Sequence, residues 1–402
     1  MYKSELLVTL EERGFLYQTS HGDDFDHFCC HNTLTAYVGF DATAPSLQVG
    51  NLMMLMLSLW MKRMGHLMIL LVGGGTTKIG DPSWKDKLRP LLSEENIQEN
   101  ILGLKDAMVR VLGKDVLIVD NASWLDALSY IPFLRDIGIH FSINRMLALD
   151  HVKSRLDQDL PLSFIEFNYP IMQAYDFLEL HRRYGCSLQF GGSDQWGNII
   201  TGVDLVRRIT GKAVYGMTTP LLQTSSGEKM GKTAQGAIWL NADRTSAYDY
   251  WQFWRNVDDQ DVIRFLKLYT LLPMSDIHRL AGLEGKEMNE AKKILADETT
   301  ALLHGKNCLN DIHDTASAVF SQGIGGDLLP SYKLAKPVSV VTVLKELGFT
   351  SSLTQGRQKI KEGAVKIDGH VVHDVNQDVH DGTMISLGKR HARLIHDLKM
   401  SE

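Results

Sequence analysis

The sequence predicts an α/β fold built on a parallel sheet, followed by a helical region and a small α+β unit. Three stretches, TAYVGFD (35–41), HLMILLV (66–72) and DVLIVDN (115–121), have the composition of strands, and helical patterns over 48–64 and 94–112 separate them. Strands that are apolar on both faces and alternate with helices are typical of a parallel sheet covered on both sides. Ligands bind beyond the C-terminal ends of such strands, so we expect the functional site there.

The same alternation continues in the next hundred residues. The stretch YPIMQAYDFLELHRR (169–183) predicts a helix, and SLQFGGSDQWGN predicts a strand, a glycine turn and the start of another helix. AVYGMTTPLLQT predicts one more strand, which leads into the polar loop SSGEKMGKT.

The C-terminal part has a different character. Residues 245–320 are rich in helix formers and lack strand patterns, which predicts a helical domain. The Gly, Pro and Ser content of 321–337 indicates a linker. Residues 338–402 predict a small α+β unit with helices over 341–347 and 353–361 and short strands after them.

Composition places the chain among soluble globular proteins. Its 402 residues suffice for two or three domains, with 44% apolar and 22% charged residues. The N-terminal stretch MYKSELLVTLEERG has the mixed charges of an amphipathic helix and not those of a leader. The most apolar stretch, NLMMLMLSLWM, has about half the length that a membrane-spanning helix needs. We therefore expect a cytoplasmic protein.

The charge distribution argues against a general nucleic-acid coat but allows a local RNA-binding surface. The net charge is −6. From residue 337 onward nine Lys and Arg stand against eight Asp and Glu, so this segment carries +1 and the remainder −7. A mildly basic appendage on an acidic body fits a restricted contact with RNA.

The four cysteines are too few and too scattered for a disulfide framework. Cys29 and Cys30 in the stretch FCCH suggest a metal knuckle at first. Adjacent cysteines do not readily share a tetrahedral site with one nearby His, and no second cluster follows. We expect structural cysteines and no protein-bound metal.

The loop SSGEKMGKT nearly matches the phosphate-loop pattern GxxxxGK[ST], but only three residues separate Gly227 from Gly231. It also lacks the buried strand and the following helix that this pattern needs. Lys229 and Lys232, with Thr233, remain as groups that can neutralise a polyphosphate in a transition state. The alternative is a solvated polar loop.

The stretch PSLQVGN opens a predicted helix. Backbone N–H groups at a helix N-terminus attract anions, and Thr43 and Gln48 add side-chain donors. Gly50 leaves room for a flat base against the backbone, and Asn51 follows it. The alternative is an ordinary capped helix with Ser46 as its N-cap.

The stretch LVGGGTTKIGDPSWKDKLRP has a glycine run after a strand, which suggests close approach of a ligand. Asp81 follows the glycines, and Lys85 and Arg89 follow Asp81. This order suits one carboxylate that orients a substrate and two cations that meet phosphate. The alternative is a loop-rich crossover.

GGSDQWGN places Asp194, Gln195 and Asn198 at a strand-to-helix turn. A carboxylate at such a turn is suited to accept hydrogen bonds from both hydroxyls of a ribose. The alternative is helix capping by Ser193 or Asp194.

Tyr169, Gln173 and Asp176 have the spacing of one helix face. A polar stripe on a buried helix is costly unless it meets partners, and a polar ligand could supply them. The alternative is a solvated face.

Together these stretches resemble bacterial-type tyrosyl-tRNA synthetases, which are class I aminoacyl-tRNA synthetases. YVGFDATAPSLQVGN occupies the place of the family's HIGH region, and GEKMGKT that of its KMSKS loop. IGDPS, QAYDFL and GGSDQWGN look specific to the tyrosyl branch, and SLTQGRQKIKEGAVKIDGHVV is similar to an S4-type RNA-binding module. The resemblance covers nearly the whole chain.

The resemblance implies a tyrosine–tRNA ligase with a Rossmann-like catalytic domain (1–225), a KMSKS-type loop and helical domain (226–320), a linker (321–337) and an S4-like domain (338–402). Such an enzyme activates L-tyrosine with ATP to tyrosyl-adenylate and transfers the tyrosyl group to the 3′ end of its tRNA. ATP is a substrate, Mg²⁺ is expected with it, and a homodimer without membrane association is implied.

The resemblance also assigns residues to each ligand. Tyr37 and Asp176 bind the phenol hydroxyl of tyrosine, and Gln195 faces its carboxylate. The full tyrosine-binding set is Tyr37, Asp81, Asn121, Tyr169, Gln173, Asp176 and Gln195. The ATP-binding set is Gly39, Asp41, Gly50, Asn51, Gly192, Asp194 and Lys232. The catalytic set is Thr43, Gln48, Asn51, Lys85, Arg89, Lys229, Lys232 and Thr233, and the RNA-binding set is Arg357, Lys359, Lys361 and Lys366.

The chain departs from the family pattern at three positions. Gln48 and Asn51 stand where the HIGH region has its first and last His, and Val38 cannot contact the ribose through a polar side chain. An amide still donates hydrogen bonds, so we expect the site to work, with reduced adenylation as the risk.

Three alternatives follow from the same residues. The altered HIGH region allows a catalytically weak paralogue that binds RNA. A tryptophanyl-tRNA synthetase has a related fold but does not need Tyr37 and Asp176 for a hydroxyl. A nucleotide-binding regulator would bind ATP without exchanging pyrophosphate.

Overall fold

The computed structural model of the chain describes residues 2–81, 92–225, 227, 230–233, 236–321, 331–334, 338–380, 382–388 and 391–397. The chain divides into two compact units, Met1–Leu222 and Gln223–Glu402. No helix in these described ranges is long and apolar enough to cross a membrane.

The first unit is built on a six-stranded sheet. Its strands are β1 (Gln18–Thr19), β2 (Thr35–Asp41), β3 (Leu67–Gly73), β4 (Leu117–Asp120), β5 (Leu188–Gly192) and β6 (Tyr215–Thr219). Its helices are α1 (Glu5–Arg13), α2 (Gly22–His31), α3 (Val49–Arg63), α4 (Glu94–Leu112), α5 (Ala122–Leu125), α6 (Tyr130–Asp136), α7 (Ile143–Leu147), α8 (Asp150–Asp157), α9 (Phe164–Tyr184) and α10 (Trp196–Thr210).

The strand order β1-β6-β5-β2-β3-β4 confirms the predicted α/β fold. Every neighbouring pair is parallel except β1 with β6. From β2 the chain moves to β3 and β4 on one side and later to β5 and β6 on the other. The C-terminal ends of β2 and β5 therefore border the crevice where such sheets bind ligands.

Local signals set the ends of the two helices that follow β2 and β3. Apolar residues such as Leu52 and Met56 form the buried face of α3. The last turn of α3 contains Lys62 and Arg63, and cations there interact favourably with the negative end of the helix dipole. Ser93 caps α4 by accepting a hydrogen bond from the Asn96 backbone N–H. Both helices match their predicted bounds to within a residue.

Helix α9 brings the predicted polar stripe against the sheet. Ser163 and Glu166 form a capping box at its start, and Gly185 ends it in the left-handed conformation with φ of 64°. Tyr169 and Asp176 are buried, so the stripe is not a solvated face. The helix packs along α10 and so fixes its inner residues relative to β5.

The second unit begins with a small ribbon and a helical region. Its elements are β7 (Lys232–Thr233), β8 (Gly236–Ala237), α11 (Ala247–Arg255), α12 (Asp259–Tyr269), α13 (Met274–Ala281), α14 (Met288–His304) and α15 (Cys308–Ser321). The core of this region is aromatic: Trp254 packs against Tyr250, Phe265 and Tyr269.

The C-terminal part of the second unit is the predicted α+β module. Its elements are β9 (Ser331–Leu334), β10 (Val338–Ser339), α16 (Val340–Glu346), α17 (Leu353–Lys361), β11 (Val365–Ile367), β12 (His370–Val371), β13 (Asp378–Val379), β14 (Met384–Leu387) and β15 (His391–Asp397). The main sheet has the order β12-β11-β14-β15-β9, with β9 parallel to β15. Strand β9 lies inside the segment whose composition indicates a linker.

Candidate active site

The C-terminal ends of β2, β3 and β5 surround a cavity of about 380 Å³. The tyrosine-binding set, three residues of the catalytic set and most of the ATP-binding set line it, although they come from distant parts of the sequence. These residues are Tyr37, Gly39, Asp41, Thr43, Gln48, Asn51, Asp81, Asn121, Tyr169, Gln173, Asp176, Gly192, Asp194 and Gln195.

Asp176 is a buried titratable group of this cavity. Its side chain is only 2% exposed, and burial raises its pKa to about 7, although hydrogen bonds favour the ionised form. The Asn121 amide donates to Oδ2 over 2.9 Å, and the Trp124 indole N–H donates to Oδ1 over 2.8 Å. Two donors thus hold a carboxylate whose remaining lone pairs can accept a ligand hydroxyl.

Tyr37 supplies the complementary observation. Its ring is 1% exposed, and its hydroxyl has no hydrogen-bond partner among the described residues. A buried polar atom without a partner costs free energy, and because Tyr37 also lines the cavity, a ligand there can supply the missing partner. Burial and the nearby Asp176 carboxylate both raise the pKa of Tyr37, so the hydroxyl keeps its proton.

Carboxylates give one side of the cavity a negative character. The Tyr169 hydroxyl donates to Asp41 Oδ2 over 3.2 Å. Burial raises the pKa of Tyr169, and the carboxylates of Asp41, Asp81 and Asp176 raise it further. Three carboxylates near one buried phenol make this side of the cavity attractive to a cation.

Side-chain amides connect the two sides of the cavity. The Gln195 amide donates to Asp81 Oδ2 over 2.9 Å. Asn198 Nδ2 donates to the Gln173 carbonyl oxygen over 3.0 Å and to the Gln195 carbonyl oxygen over 3.3 Å. This network orients both glutamines before any ligand binds.

The start of α3 differs from the simple capped helix considered above. Gln48, not Ser46, is the N-cap residue, and the Ser46 hydroxyl donates to the Leu47 carbonyl oxygen over 3.1 Å. Asn51 Oδ1 accepts from the Gln48 backbone N–H over 3.0 Å. Because the cap uses Oδ1 of the Asn51 side chain, its Nδ2 can donate to a ligand in the cavity that Asn51 lines.

Comparison with known proteins agrees with this geometry. Residues 30–321 match the family described as tRNA synthetases class I (W and Y), and residues 339–385 match the S4 domain. The tyrosine–tRNA ligase of Rhodospirillum rubrum is 48% identical over 412 residues, which span 98% of this chain and 99% of that protein. The tyrosine–tRNA ligase of Zymomonas mobilis is 50% identical over 398 residues, 97% of each chain.

A solved structure gives the same result. A C-terminally truncated mitochondrial tyrosyl-tRNA synthetase of Aspergillus nidulans superposes with a TM-score of 0.70 at 30% identity, covering 79% of this chain and 95% of that one. The chain belongs to the tyrosine–tRNA ligases. The S4 match also identifies the C-terminal α+β part of this ligase as an RNA-binding type of module.

Several residues predicted for the site are not part of the cavity lining of the first unit, belong to the second unit, or lie outside the described residues. Gly50 is the second residue of α3 and does not line the cavity. Lys232 and Thr233 form the short strand β7, which pairs with β8. Lys85, Arg89 and Lys229 lie outside the described residues.

The four predicted RNA-binding residues lie on α17 and β11. Arg357, Lys361 and Lys366 are exposed. The Lys359 ammonium instead forms an ion pair with Glu362 over 2.7 Å. Three of the four cations are therefore presented to solvent on neighbouring elements.

Sequence reasoning missed Trp124 and gave Asn121 a different part. Asn121 is fully buried. Its side-chain Oδ1 accepts a hydrogen bond from the Gly75 backbone N–H over 2.8 Å, and its Nδ2 donates to Asp176. These bonds place Asn121 behind the carboxylate, and its direct help at the ammonium group stays a prediction. Both residues follow β4, at a strand end where the ligand rule for parallel sheets could have directed attention.

Proposed function

We propose that the first unit activates L-tyrosine with ATP and that the tyrosyl group then passes to the 3′ end of a tRNA. Charging of tRNA with tyrosine is the activity of the family to which the chain belongs, and ATP is its second substrate. The observation that carries the residue assignment is the buried Tyr37 hydroxyl without a partner in the cavity that also holds Asp176.

The phenol hydroxyl of the substrate lies between these two groups. It donates to the Asp176 carboxylate and accepts from the Tyr37 hydroxyl, so both buried groups gain a partner. Phenylalanine leaves both without one. A site of this kind, for which tyrosyl-tRNA synthetases are the standard example, rejects the analogue without the hydroxyl by about 10⁴–10⁵.

The amino-acid end of the substrate meets the polar side of the cavity. Asp81, Tyr169 and Gln173 hold the ammonium group, which is drawn by the surrounding carboxylates. Gln195 turns its amide from Asp81 to the substrate carboxylate once the ammonium occupies Asp81. This exchange lets one network serve both charges of the zwitterion.

Activation itself is an in-line displacement at the α-phosphorus of ATP. A carboxylate oxygen of tyrosine forms the new P–O bond, and pyrophosphate leaves with the electron pair of the broken bond. No base is needed, because the attacking carboxylate carries no proton. The enzyme therefore works by orienting the reactants and stabilising charge on the phosphates.

The start of α3 supplies neutral donors for that charge. Thr43, Gln48 and Asn51 donate hydrogen bonds to phosphate oxygens. Asp194 and Gly192 accept hydrogen bonds from the ribose hydroxyls. Gly39 and Asp41 form the adenosine side, and a contact of Gly50 with the base stays a prediction from the sequence. Lys85, Arg89, Lys229, Lys232 and Thr233 complete the phosphate side as predictions from the sequence. Mg²⁺ enters with ATP and is held mainly by phosphate oxygens and water.

Transfer to tRNA requires a second recognition surface. Arg357, Lys361 and Lys366 contact the phosphate backbone of the tRNA, with Lys359 as a further candidate once its pair with Glu362 opens. Such contacts position the RNA and carry no sequence information by themselves. The cytoplasmic location expected from the sequence stays a prediction.

An apolar surface of the first unit fits a homodimer. Large apolar side chains on α6, α7, the intervening turn and the start of α9 face solvent, among them Ile131 (70% exposed), Ile139 (76%), Ile143 (59%) and Phe164 (68%). Exposed apolar patches of this kind mark association surfaces. A second copy of the chain is the occupant that the symmetry of most soluble oligomers favours.

Exchange of labelled pyrophosphate into ATP tests the activation step. We expect exchange with tyrosine, and none above background with phenylalanine or tryptophan. Absence of exchange with tyrosine, from folded protein that still binds tRNA, would refute the proposal and favour an RNA-binding paralogue. Exchange with tryptophan instead would refute the role of Tyr37 and Asp176.

A further inference from the structure

The loop between β2 and α3 carries the proposed phosphate donors but has no regular structure of its own. Residues 42–47 form neither helix nor strand. Donors that stabilise a transition state must keep their geometry to about 0.5 Å, so something outside the loop has to hold it.

Both backbone groups of Ala42, the residue before Thr43, are held from outside the loop. Its N–H donates to Thr77 Oγ over 2.7 Å, and its carbonyl oxygen accepts from Asn100 Nδ2 over 2.8 Å. Ala42 is fully buried, and Thr77 and Asn100 are nearly so. Asn100 is a polar residue on the buried face of α4, where apolar residues otherwise predominate.

The same helix meets the loop again three residues later. A Cβ added to Gly103 would lie 1.9 Å from the Pro45 carbonyl oxygen, closer than any side chain tolerates. Glycine costs a helix interior about 1 kcal/mol relative to alanine, so this residue does not serve helix stability. Its neighbour Leu104 lines the cavity. Helix α4 therefore supports the loop at two points, Ala42 and Pro45.

We propose that Thr77, Asn100 and Gly103 are positioning residues for tyrosine activation. They touch no substrate, and they fix the loop so that its donors meet ATP in the transition state. The inference rests on the proposed function, because it concerns the donors of that reaction. If these residues position the loop, their replacement lowers kcat and leaves the affinity for tyrosine unchanged. A merely structural role predicts no such selective loss of kcat.

The first test replaces Asn100 by its isostere. Asn100→Asp keeps the shape but cannot donate to the Ala42 carbonyl oxygen, and it adds repulsion. We expect kcat for pyrophosphate exchange to fall about 10- to 100-fold, with the equilibrium Kd for tyrosine within about twofold of wild type. Asn96→Asp is the matched control, because Asn96 is exposed one turn earlier on α4.

The second test acts through the glycine. In Gly103→Ala the Pro45 carbonyl has to move by about 1 Å, and a displacement of that size costs on the order of 10²-fold in kcat. Gly22→Ala is the control, because a Cβ at Gly22, also helical, meets nothing within 4 Å. If Gly103→Ala does not fold, Asn100→Asp and Thr77→Val decide the matter.

Thr77→Val removes the other bond to Ala42, with an expected loss of about tenfold in kcat. The double variant with Asn100→Asp should lose less than the product of the single losses, because both side chains hold one peptide. Folded variants with kcat within about threefold of wild type would overturn the inference, as would a parallel loss of tyrosine affinity. Failure of the wild-type chain to exchange would refute the proposed function instead.

Discussion

Replacing Trp124 by phenylalanine removes one of the two hydrogen bonds to Asp176 and leaves most of the packing. The lost bond is the 2.8 Å contact between the indole N–H and Asp176 Oδ1. The phenyl ring keeps an aromatic face for Arg183, whose guanidinium carbon lies 5.0 Å from the centre of the Trp124 ring. The change therefore acts mainly on the ionised form of Asp176.

The magnitude follows from the strength of that bond. A hydrogen bond to a charged group contributes about 1.5–3 kcal/mol, and one pH unit corresponds to about 1.4 kcal/mol. Burial raises the pKa of Asp176 to about 7 in the wild-type chain. Because an acid is ionised above its pKa, loss of a donor to the carboxylate moves the acid limb of activity about one to two pH units higher.

The assay is the pH dependence of kcat/KM for tyrosine in pyrophosphate exchange, which reports the free enzyme. At pH 7 we expect kcat/KM of Trp124→Phe to fall about 5- to 50-fold, because the ionised fraction of Asp176 falls from about a half to about 1–10%. By about pH 9.5 Asp176 is mostly ionised in both proteins, so the difference in kcat/KM should narrow to less than about 1.5-fold.

The control removes an equivalent indole donor elsewhere. Trp251 donates to Asp297 Oδ1 over 2.7 Å in the helical region, so Trp251→Phe should leave the acid limb unmoved. A loss that is equal at every pH in Trp124→Phe would refute the reasoning, because it would show that Trp124 contributes only packing.

Three further predictions follow from the same structure. Tyr37→Phe removes a buried hydroxyl without a partner, so the melting temperature should not fall, while kcat/KM for tyrosine drops about 3- to 10-fold and that for phenylalanine does not; a lower melting temperature would contradict this. Asn51→Asp retains the oxygen that caps α3 but loses the donor, so exchange kcat should fall about 10²–10³-fold in a chain of unchanged thermal stability; normal kcat would exclude the donor role. Phe164→Asp should yield monomers in analytical ultracentrifugation, whereas Tyr17→Asp, at an equally exposed residue elsewhere, should not; a dimeric Phe164→Asp chain would place the interface on another surface.

Local pattern accounts for much of the fold. Apolar periodicity and capping residues depend on near neighbours in sequence, so the bounds of α3, α4 and β2 follow from the sequence within a residue. Helix α9 ends one residue after its predicted end but begins at Phe164, five residues before its predicted start. Composition also indicates the helical region and the C-terminal α+β module. The order of the sequence motifs was sufficient to identify the family, and the comparisons with known proteins confirm it.

Tertiary structure decided which groups meet. Asp176 is 55 residues from Asn121 and 52 from Trp124, and only the order of the sheet brings these side chains together. The structure also decides which residue caps α3, since Gln48 and not Ser46 is its N-cap. The support that Asn100 and Gly103 give to the loop between β2 and α3 has no local signal in the sequence. The role of a buried polar residue or a helical glycine becomes clear only when its distant partner is known.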